Sequence, residues 1–318
     1  MTEYVFSVTE DEEGERIDRH LAALLGDMSR SYLQKLLKDG AVQVGVLTRV
    51  VKASYQVREG DVIRLAVPEA VIPAIEAEDI PLDILYEDEA LLVVNKPKGM
   101  VVHPAPGHYS GTLVNALLHH CQGSLSGING VLRPGIVHRI DRDTTGALVA
   151  CKNDLVHRAI AEQLQEHSLE RRYLAIACGV MKDDSGSVEL PIGRHPRERK
   201  KMAVLPPGDE RGRRAVTHYQ VRERFRAHTY IECRLETGRT HQIRVHMAHL
   251  GYPLLGDEIY GKAKPPLAGQ TLHAAVLGFT HPLTGERIRV EAPLPEYFTE
   301  LLCRGGPRVR PCKGEQNP

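Results

Sequence analysis

The chain has 318 residues, of which 42% are hydrophobic and 26% are charged, and its 41 basic residues balance 41 acidic ones. This length is sufficient for two domains with a sizeable core, and no apolar run reaches the roughly 20 residues that cross a bilayer. The acidic N-terminus lacks a signal-peptide core, which argues against secretion, and the six cysteines contain no C-x-x-C pair, which disfavours a disulfide framework. We therefore expect a cytoplasmic protein without membrane association.

Residues 14 to 70 are predicted to form a small α/β unit. Residues 18–25 and 31–40 have helical spacing, with Ser29 as an N-cap and Gly40 as a C-cap, and a strand over 60–68 follows. The second helix carries four polar side chains that could meet phosphates on one exposed face: Arg30, Ser31, Lys35 and Lys38. A solvated helix face has the same composition, so this pattern alone does not separate the two interpretations.

Residues 71–81 are rich in proline and acidic residues and are interpreted as a linker. Beyond them, a second domain is expected over 82–303. Its predicted elements are strands at 90–99, 171–179 and 228–238, a helix at 153–169 capped by Asn153 or Asp154, and a helix at 240–251 that begins at Thr240 and ends at Gly251. Because strands and helices do not alternate regularly, we expect an α+β fold. The tail, 304–318, is expected to be disordered.

The charges are unevenly distributed along the chain. Residues 194–226 contain eleven basic and four acidic residues, whereas 76–89 contain seven acidic residues and no basic ones. A basic block in a neutral protein is typical of a surface that meets phosphate backbones, although a solvated loop looks similar. The candidates in its most basic part are Arg197, Arg199, Lys200 and Lys201.

The segment GIVHRIDRDTTGALV, residues 135–149, concentrates ionic side chains between apolar flanks. If it is extended up to its turn, Val137, Arg139 and Asp141 share one face, while the other face, with Ile136, His138 and Ile140, is turned toward the core. Asp143 lies in a turn-like stretch, where an aspartate commonly accepts a backbone N–H in an Asx turn. Asp141 is therefore the candidate reactive group, and Asp143 is expected to hold the turn.

Other site chemistries fit the chain less well. A two-metal nuclease needs several hard oxygen ligands, and no matching second carboxylate cluster is present. His241, His246 and His249 could suggest zinc, but the H-E-x-x-H pattern is missing, as are the glycine-rich nucleotide motifs. We therefore expect neither a metal nor a cofactor.

Four motifs occur together in this chain: NKPKGMVVHP from residue 95, HRIDRDTTG from 138, RRYLAIACG from 171, and LETGRTHQIRVHMAHLGYPLLGDEIYG from 235. Together and in this order they resemble the RluA/RluD family of RNA pseudouridine synthases. The first segment, with SRSYLQKLLKDG from residue 29, resembles the S4-like RNA-binding domain that often precedes that catalytic domain. The resemblance covers about residues 14 to 300. It implies a catalytic fold with a mixed, largely antiparallel central sheet behind a small S4-like α/β domain.

The resemblance also implies the reaction, in which uracil is detached from ribose at N1, turned and rejoined through C5. Asp141 corresponds to the reactive carboxylate, Arg244 to the arginine beside it, and Tyr173 to the ring that packs on the base. Arg139 resembles the residue that enters the RNA stack, and Lys96 one that supports the catalytic loop. As bare residues, Arg244 would more often be a surface side chain and Tyr173 a core one.

The partner implied is RNA, and RPGIVHRIDRDT, from residue 133, resembles the RluD branch, which acts on large-subunit (23S) ribosomal RNA. A synthase acting on transfer RNA and a non-catalytic RNA-binding or ribosome-assembly protein on the same scaffold are the alternatives. The presence of Asp141, Tyr173 and Arg244 together favours the enzyme, because binding alone would not require all three. We expect the protein to be a monomer.

Overall fold

The chain folds into two compact units, residues 1–73 and 74–318. The computed structural model describes residues 2–26, 28–45, 51–68, 75–104, 108–128, 130, 133–198, 201–261, 267 and 269–304. Part of the expected linker, two of the candidate phosphate-binding residues (Arg199 and Lys200), and the tail from residue 305 onward lie outside the described residues.

The first unit packs two helices against a three-stranded antiparallel sheet. The helices are α1 (Ile17–Leu24) and α2 (Arg30–Lys38), and the strands β1 (Thr2–Ser7), β2 (Val42–Val44) and β3 (Val62–Val67) lie in the order β1-β3-β2. The Ser29 side chain accepts the backbone N–H of Tyr32, so the predicted N-cap is confirmed. The apolar faces of both helices and of the sheet close a core of the unit's own.

Two boundaries differ from the sequence-based expectation. The first unit begins with β1, ahead of residue 14, because β1 pairs along its whole length with β3. At the other side, residues expected to be linker are bonded into the second unit. Asn115 Nδ2 donates to the carbonyl of Glu76 at 2.8 Å, and the carboxylate of Glu78 accepts the backbone N–H of Gly111. A proline-rich, acidic composition did not reveal these specific contacts.

The second unit is built on a nine-stranded mixed sheet. Eight of its strands lie in the spatial order β4-β5-β6-β13-β7-β12-β11-β8. The ninth strand, β14, pairs with β13 outside this order. Their bounds are β4 Ile84–Glu87, β5 Leu91–Lys96, β6 Thr145–Cys151, β7 Glu170–Cys178, β8 Ser185–Glu189, β11 Val216–Arg224, β12 His228–Leu235, β13 Leu272–Thr280 and β14 Arg287–Glu291. A separate hairpin joins β9 (Ile192–Arg194) to β10 (Met202–Val204). The expected α+β fold with a largely antiparallel sheet is confirmed, since only β6 and β13 pair in parallel within the described sheet.

Both faces of the sheet are covered. Along β5, Leu92 and Val94 face one core, and Leu91 and Val93 face the other, as alternation in a strand requires. Helices α3 (Leu113–His120) and α5 (Gln242–His249) contribute to the first core, and α4 (Asp154–Gln165) contributes to the second. Helix α6 (Glu296–Arg304) ends the described chain and buries Phe298.

The parallel pair places the ionic segment at the centre of the sheet. Gly146 at the start of β6 lies opposite Ala274 of β13, and Ala274 in turn lies opposite Tyr173 of β7. Gly146 has a φ of 107°, and a Cβ there would lie 2.2 Å from the Ala274 carbonyl oxygen, so this crossing admits only glycine. The loop that carries Asp141 therefore enters the sheet at β6, and only β13 separates β6 from the strand that carries Tyr173.

Within the described residues, no helix is long and apolar enough to cross a membrane.

Candidate active site

A cleft of about 560 Å³ opens in the second unit where the ionic segment, β7 and the beginning of α5 meet. The structure brings together four of the residues predicted from the sequence, since Arg139, Asp141, Tyr173 and Arg244 all line this cleft. A cleft of this size, with an apolar wall and convergent charged groups, is typical of a site for a small organic group.

Asp141 and Arg244 form the central contact of the cleft. Nη1 of Arg244 donates to Oδ2 of Asp141 at 2.8 Å, and the two residues are 103 positions apart in sequence. The other side of the same guanidinium is held by Asp257, because Nε and Nη2 donate to its two carboxylate oxygens at 2.7 and 2.9 Å. This bidentate pairing fixes the plane of the guanidinium and leaves Nη1 directed at Asp141.

Charge and burial set the state of this cluster. Burial by itself would lower the pKa of Arg244, but the hydrogen bonds that it donates to Asp257 and the charge of Asp141 outweigh burial, so the pKa is raised above its usual value. Asp257 is buried and also accepts the backbone N–H groups of Ile259 and Tyr260. Arg244 is therefore a permanent cation that lies in direct contact with Asp141.

His241 closes the cleft on the other side of Asp141. Its Nε2 lies 3.8 Å from Oδ1 of Asp141, and its Nδ1 lies 2.8 Å from the hydroxyl of Tyr260. The Tyr260 oxygen already accepts the backbone N–H of Met202 at 2.9 Å, so its own proton is free to be donated to Nδ1. Burial lowers the pKa of His241, which favours the neutral ring. We assign the tautomer with the proton on Nε2, facing Asp141.

The backbone at His241 corrects one prediction. Thr240 was expected to cap α5, but the N-cap is His241, in the left-handed region with a φ of 57°. The first turn is held instead by Gln242, whose side-chain oxygen accepts the Thr237 hydroxyl and the backbone N–H of Arg239. Left-handed backbone at a residue other than glycine is uncommon and often marks a functional position.

Tyr173 forms part of the cleft wall, with its side chain mostly buried at 7% exposure. Burial raises its pKa, and the nearby charge of Asp141 adds to this, so the phenol stays neutral. A neutral ring beside the carboxylate offers a flat surface for a stacked base.

Lys96 lies beneath the ionic segment and is fully buried. Its ammonium donates to the carbonyls of Pro97, Met100 and Arg142 at 2.7, 2.8 and 2.9 Å. Burial lowers its pKa to about 7, against the opposing effect of Asp143 and Asp141. Three carbonyl acceptors match the three N–H bonds of the protonated form. Lys96 thus ties the loop at 97–100 to the turn after Asp141.

The ionic segment itself is not a regular strand between residues 137 and 144. Ile136 and Ile140 enter the core as predicted, and Arg139 is exposed at the cleft. His138, however, also lines the cleft, although it was expected to face away, because residues without strand geometry do not alternate. Its Nε2 accepts the backbone N–H of Val149 at 3.3 Å.

The expected Asx turn at Asp143 is wrong. In the described part of the chain, its carboxylate accepts hydrogen bonds from the Arg142 side chain, with Nη2 at 3.0 Å, and from no backbone N–H. The turn is instead closed by the backbone, since Thr144 N–H donates to the carbonyl of Asp141 at 3.1 Å. Asp143 lies in the turn but away from the Arg244 contact.

The candidate phosphate-binding residues of the first unit differ in availability. Ser31, Lys35 and Lys38 are exposed along α2. Arg30 is already engaged, because its Nε and Nη2 donate to the buried carboxylate of Asp18 at 3.0 and 2.8 Å. Ser31, Lys35 and Lys38 are therefore available for phosphate contacts on the exposed face of α2, whereas the Arg30 guanidinium is already hydrogen-bonded to Asp18.

The basic block is less positive than its composition indicates. Arg197 is exposed, but Lys201 pairs with Glu198 at 2.8 Å. Further along, several of its arginines pair with carboxylates: Arg211 with Asp209, Arg214 with Glu236, Arg222 with Glu232, and Arg224 with Asp184. Part of the local excess is neutralised by partners that lie outside the block in sequence.

No group of three or more His, Cys, Asp or Glu side chains suited to a metal occurs among the residues that the structure describes. The three histidines considered for zinc are not arranged around one point. His241 faces Tyr260 and Asp141, and His246 is buried between the Thr217 hydroxyl and the Leu190 carbonyl.

Four residues of the site were not selected from the sequence: Arg171 and His241, which line the cleft, and Asp257 and Tyr260, which bind cleft residues from behind. All four lie within motifs that were recognised, yet spacing alone gave them no role in the site. Asp257 is 13 residues from Arg244, beyond any helical neighbour, and the turn between α5 and β13 brings it back. The sequence shows an acidic residue, Asp257, within the segment PLLGDEIYG, but it does not show that Arg244 is its partner.

Comparison with known proteins agrees with this geometry. The family model described as RNA pseudouridylate synthase matches residues 90–249. An RNA pseudouridine synthase of Bacillus subtilis named YlyB, itself uncharacterized, is 50% identical over 95% of this chain and 98% of its own length. The ribosomal large subunit pseudouridine synthase D of Zymomonas mobilis is 47% identical over 91% of this chain and 93% of its own.

Among solved structures, the human RNA pseudouridylate synthase domain containing 1 is similar in fold, with a TM-score of 0.55. It is 22% identical, and the similarity covers 74% of this chain and 99% of that one. The family model spans 160 residues, and it contains the ionic segment, Tyr173 and the start of α5, which together build the cleft. The chain belongs to the RNA pseudouridine synthases, isomerases that convert uridine to pseudouridine in RNA.

Proposed function

We propose that this enzyme isomerises specific uridines in large-subunit ribosomal RNA and that Asp141 is its reactive carboxylate. The observation that carries the chemical assignment is the contact between Asp141 and an arginine that Asp257 holds in place, inside a cleft with Tyr173 on its wall. The choice of RNA is supported by the relative from Zymomonas mobilis, whose name states the ribosomal large subunit.

The reaction requires one bond to break and one to form. The C1′–N1 bond is cleaved, uracil turns, C5 bonds to C1′, and the C5 proton is lost while N1 gains one. Uracil leaves as a stabilised anion and stays in the cleft, so no second carboxylate is needed to protonate a departing alcohol as in a glycosidase. Asp141 either attacks C1′ or removes the C2′ proton, and both routes need its ionised form.

The neighbouring residues have distinct proposed roles. Arg244 orients Asp141 through a charge-assisted hydrogen bond, and Tyr173 stacks on the base. Arg139, exposed at the rim of the cleft, enters the RNA stack as the uridine turns out. Lys96 holds the loop that carries the carboxylate.

RNA outside the cleft is bound by the two basic regions. The first is the exposed face of α2 in the S4-like unit, with Ser31, Lys35 and Lys38. The second is the β9–β10 hairpin, where Arg197 is exposed and where Met202 contacts Tyr260 beside the cleft. The enzyme is proposed to act on RNA as a monomer in the cytoplasm.

Asp141→Asn tests the assignment, with Asp143→Asn as its matched control in the same turn. Asn keeps the shape of the side chain but cannot act as nucleophile or base, so pseudouridine formation should stop while RNA binding persists. Asp143→Asn keeps the shape of the side chain and removes a partly exposed pairing with Arg142, away from the contact between Asp141 and Arg244, so it should retain activity. Turnover by Asp141→Asn within a few fold of the wild-type rate would disprove the catalytic role.

The substrate is tested in cells. Carbodiimide-dependent primer-extension stops in ribosomal RNA should disappear at the target uridines of a deletion strain and return with the wild-type gene. If they return with Asp141→Asn as well, the protein is an RNA-binding factor. If they are unchanged in the ribosomal RNA but lost in transfer RNA, the substrate is transfer RNA.

A further inference from the structure

Arg171 lies on the wall of the catalytic cleft and has no role in the mechanism above. It precedes Tyr173 by two residues on β7, so both side chains project from the same face of the sheet. Its side chain is mostly buried, with the residue 7% exposed. Nη2 donates to the carbonyl of Glu236 at 3.1 Å, and Nε has no hydrogen-bond partner among the described residues.

The charge of Arg171 is not balanced by the protein. Within the described part of the chain, no carboxylate lies within ion-pair distance of it, in contrast to Arg244, which has two. Burial lowers its pKa, but a guanidinium remains protonated at neutral pH. A buried cation without a counterion is costly to the folded protein. An anion that enters the cleft with the substrate would remove that cost.

The space around the guanidinium is kept open by Gly238. A Cβ on this glycine would lie 2.8 Å from Nη1 of Arg171, although the glycine does not have the positive φ that would require it for backbone reasons. Any side chain here would therefore press on the cation or cover it. Arg239 also lines the cleft, and its charge makes the cleft more favourable for an anion.

We propose that Arg171 binds a phosphodiester oxygen of the target nucleotide. The inference rests on the proposed function, in which Tyr173 stacks on the base of that nucleotide. Residues i and i+2 of a strand are about 7 Å apart, a separation on the scale of one nucleotide. A base on Tyr173 thus brings its own backbone phosphate toward Arg171. Such a contact would hold the flipped nucleotide from its phosphate while Asp141 acts at the sugar.

The test combines a charge change in the protein with one in the RNA. A short RNA that contains a target uridine is prepared with one neutral methylphosphonate, either 5′ or 3′ to that uridine. The ribose next to each changed linkage carries a 2′-O-methyl group to prevent cleavage, and the same RNA with ordinary phosphodiesters is the reference. Dissociation constants are measured for the wild-type enzyme, Arg171→Met, Arg171→Lys and Arg172→Met.

One of the two methylphosphonates should weaken wild-type binding by about 10- to 100-fold, as expected for the loss of a hydrogen bond to a charged group. The same methylphosphonate should raise the dissociation constant of Arg171→Met by less than about 2-fold. Arg171→Lys should show an increase between those of Arg171→Met and the wild-type enzyme. Arg172→Met is the matched control, because Arg172 points to the opposite face and pairs with Glu170, and it should behave as the wild type.

The inference is overturned if neither methylphosphonate weakens wild-type binding, a result that does not depend on whether any variant folds. It is also overturned if a methylphosphonate weakens RNA binding by Arg171→Met as much as it weakens binding by the wild-type enzyme. If Arg171→Met lowers only the single-turnover rate, the cation acts on the departing uracil and not on phosphate. Failure of the proposed function is separate, since wild-type enzyme would then release no C5 tritium from any large-subunit RNA fragment.

Discussion

Arg244 joins two carboxylates that have different tasks. Its Nε and Nη2 are held by Asp257, and its Nη1 donates to Asp141 at 2.8 Å. The bidentate pair with Asp257 thus determines where the remaining N–H is directed. Asp257 does not itself line the cleft, so we expect it to act on the proposed reaction only through the arginine.

Arg244→Lys should lower the single-turnover rate by about 100-fold or more. A lysine keeps the charge, but it cannot bridge both carboxylates with a planar fork, so Asp141 loses its orientation. The rate is measured as release of tritium from C5 of the target uridine at saturating enzyme. Arg214→Lys is the control, because Arg214 makes a largely exposed pair with Glu236. A rate within a few fold of wild type for Arg244→Lys would show that charge alone is sufficient.

Tyr260→Phe should lower the rate about 3- to 10-fold, the effect expected from one lost hydrogen bond. Without the hydroxyl, Nδ1 of His241 has no donor and can take the proton itself, which removes the N–H that faces Asp141. The ¹⁵N chemical shifts of the His241 ring should report the change of tautomer. Tyr86→Phe, which removes a hydroxyl bonded to Asp88 outside the cleft, should leave both readouts unchanged.

If the His241 shifts already indicate a proton on Nδ1 in the wild-type enzyme, the assigned tautomer is wrong. The hydrogen bond would then run from the ring to the Tyr260 oxygen.

Lys96→Met should lower the free energy of unfolding by about 3 kcal/mol, because three buried carbonyls lose their donor. Activity should fall further than stability explains, since the Arg142 carbonyl belongs to the turn next to Asp141. Denaturant unfolding and single-turnover rates are measured side by side. Lys182→Met, at an exposed position, is the control. Normal activity in a destabilised Lys96→Met enzyme would limit this lysine to a structural role.

Replacing both Lys35 and Lys38 by Gln should weaken RNA binding in a salt-dependent way. The loss of two phosphate contacts on single-stranded RNA reduces the slope of log K against log salt by about 1.4. The maximal single-turnover rate should change little, because the cleft lies in the other unit. Lys52→Gln with Arg58→Gln makes the same charge change at exposed positions outside α2. An equal slope change in both double variants would indicate a general charge effect.

The sequence by itself determined the class of fold, the helices and strands with strong periodicity, and the proposal that Asp141 is the reactive carboxylate. Strand β5 is a continuous apolar run, and the helix after Asn153 has an apolar stripe and a cap, so local physics was sufficient to predict both. Asp141, Tyr173 and Arg244 were found because four motifs occur in a fixed order, and the structure places all three on one cleft.

The tertiary structure decided the relations between residues distant in sequence. Hydrogen bonds between Arg244 and Asp257, or between Tyr260 and His241, depend on how a turn returns to a helix, and no local periodicity encodes this. The cap of α5 and the role of Asp143 were mispredicted because side-chain contacts outside the local pattern decided both: Gln242 accepts the backbone N–H of Arg239, and the Arg142 side chain binds the Asp143 carboxylate. Arg171 looked like an ordinary strand residue until the cleft showed its charge buried and without a carboxylate among the described residues. Local propensity arises from each residue and its neighbours in sequence, whereas a binding site arises from contacts that only the folded chain brings together.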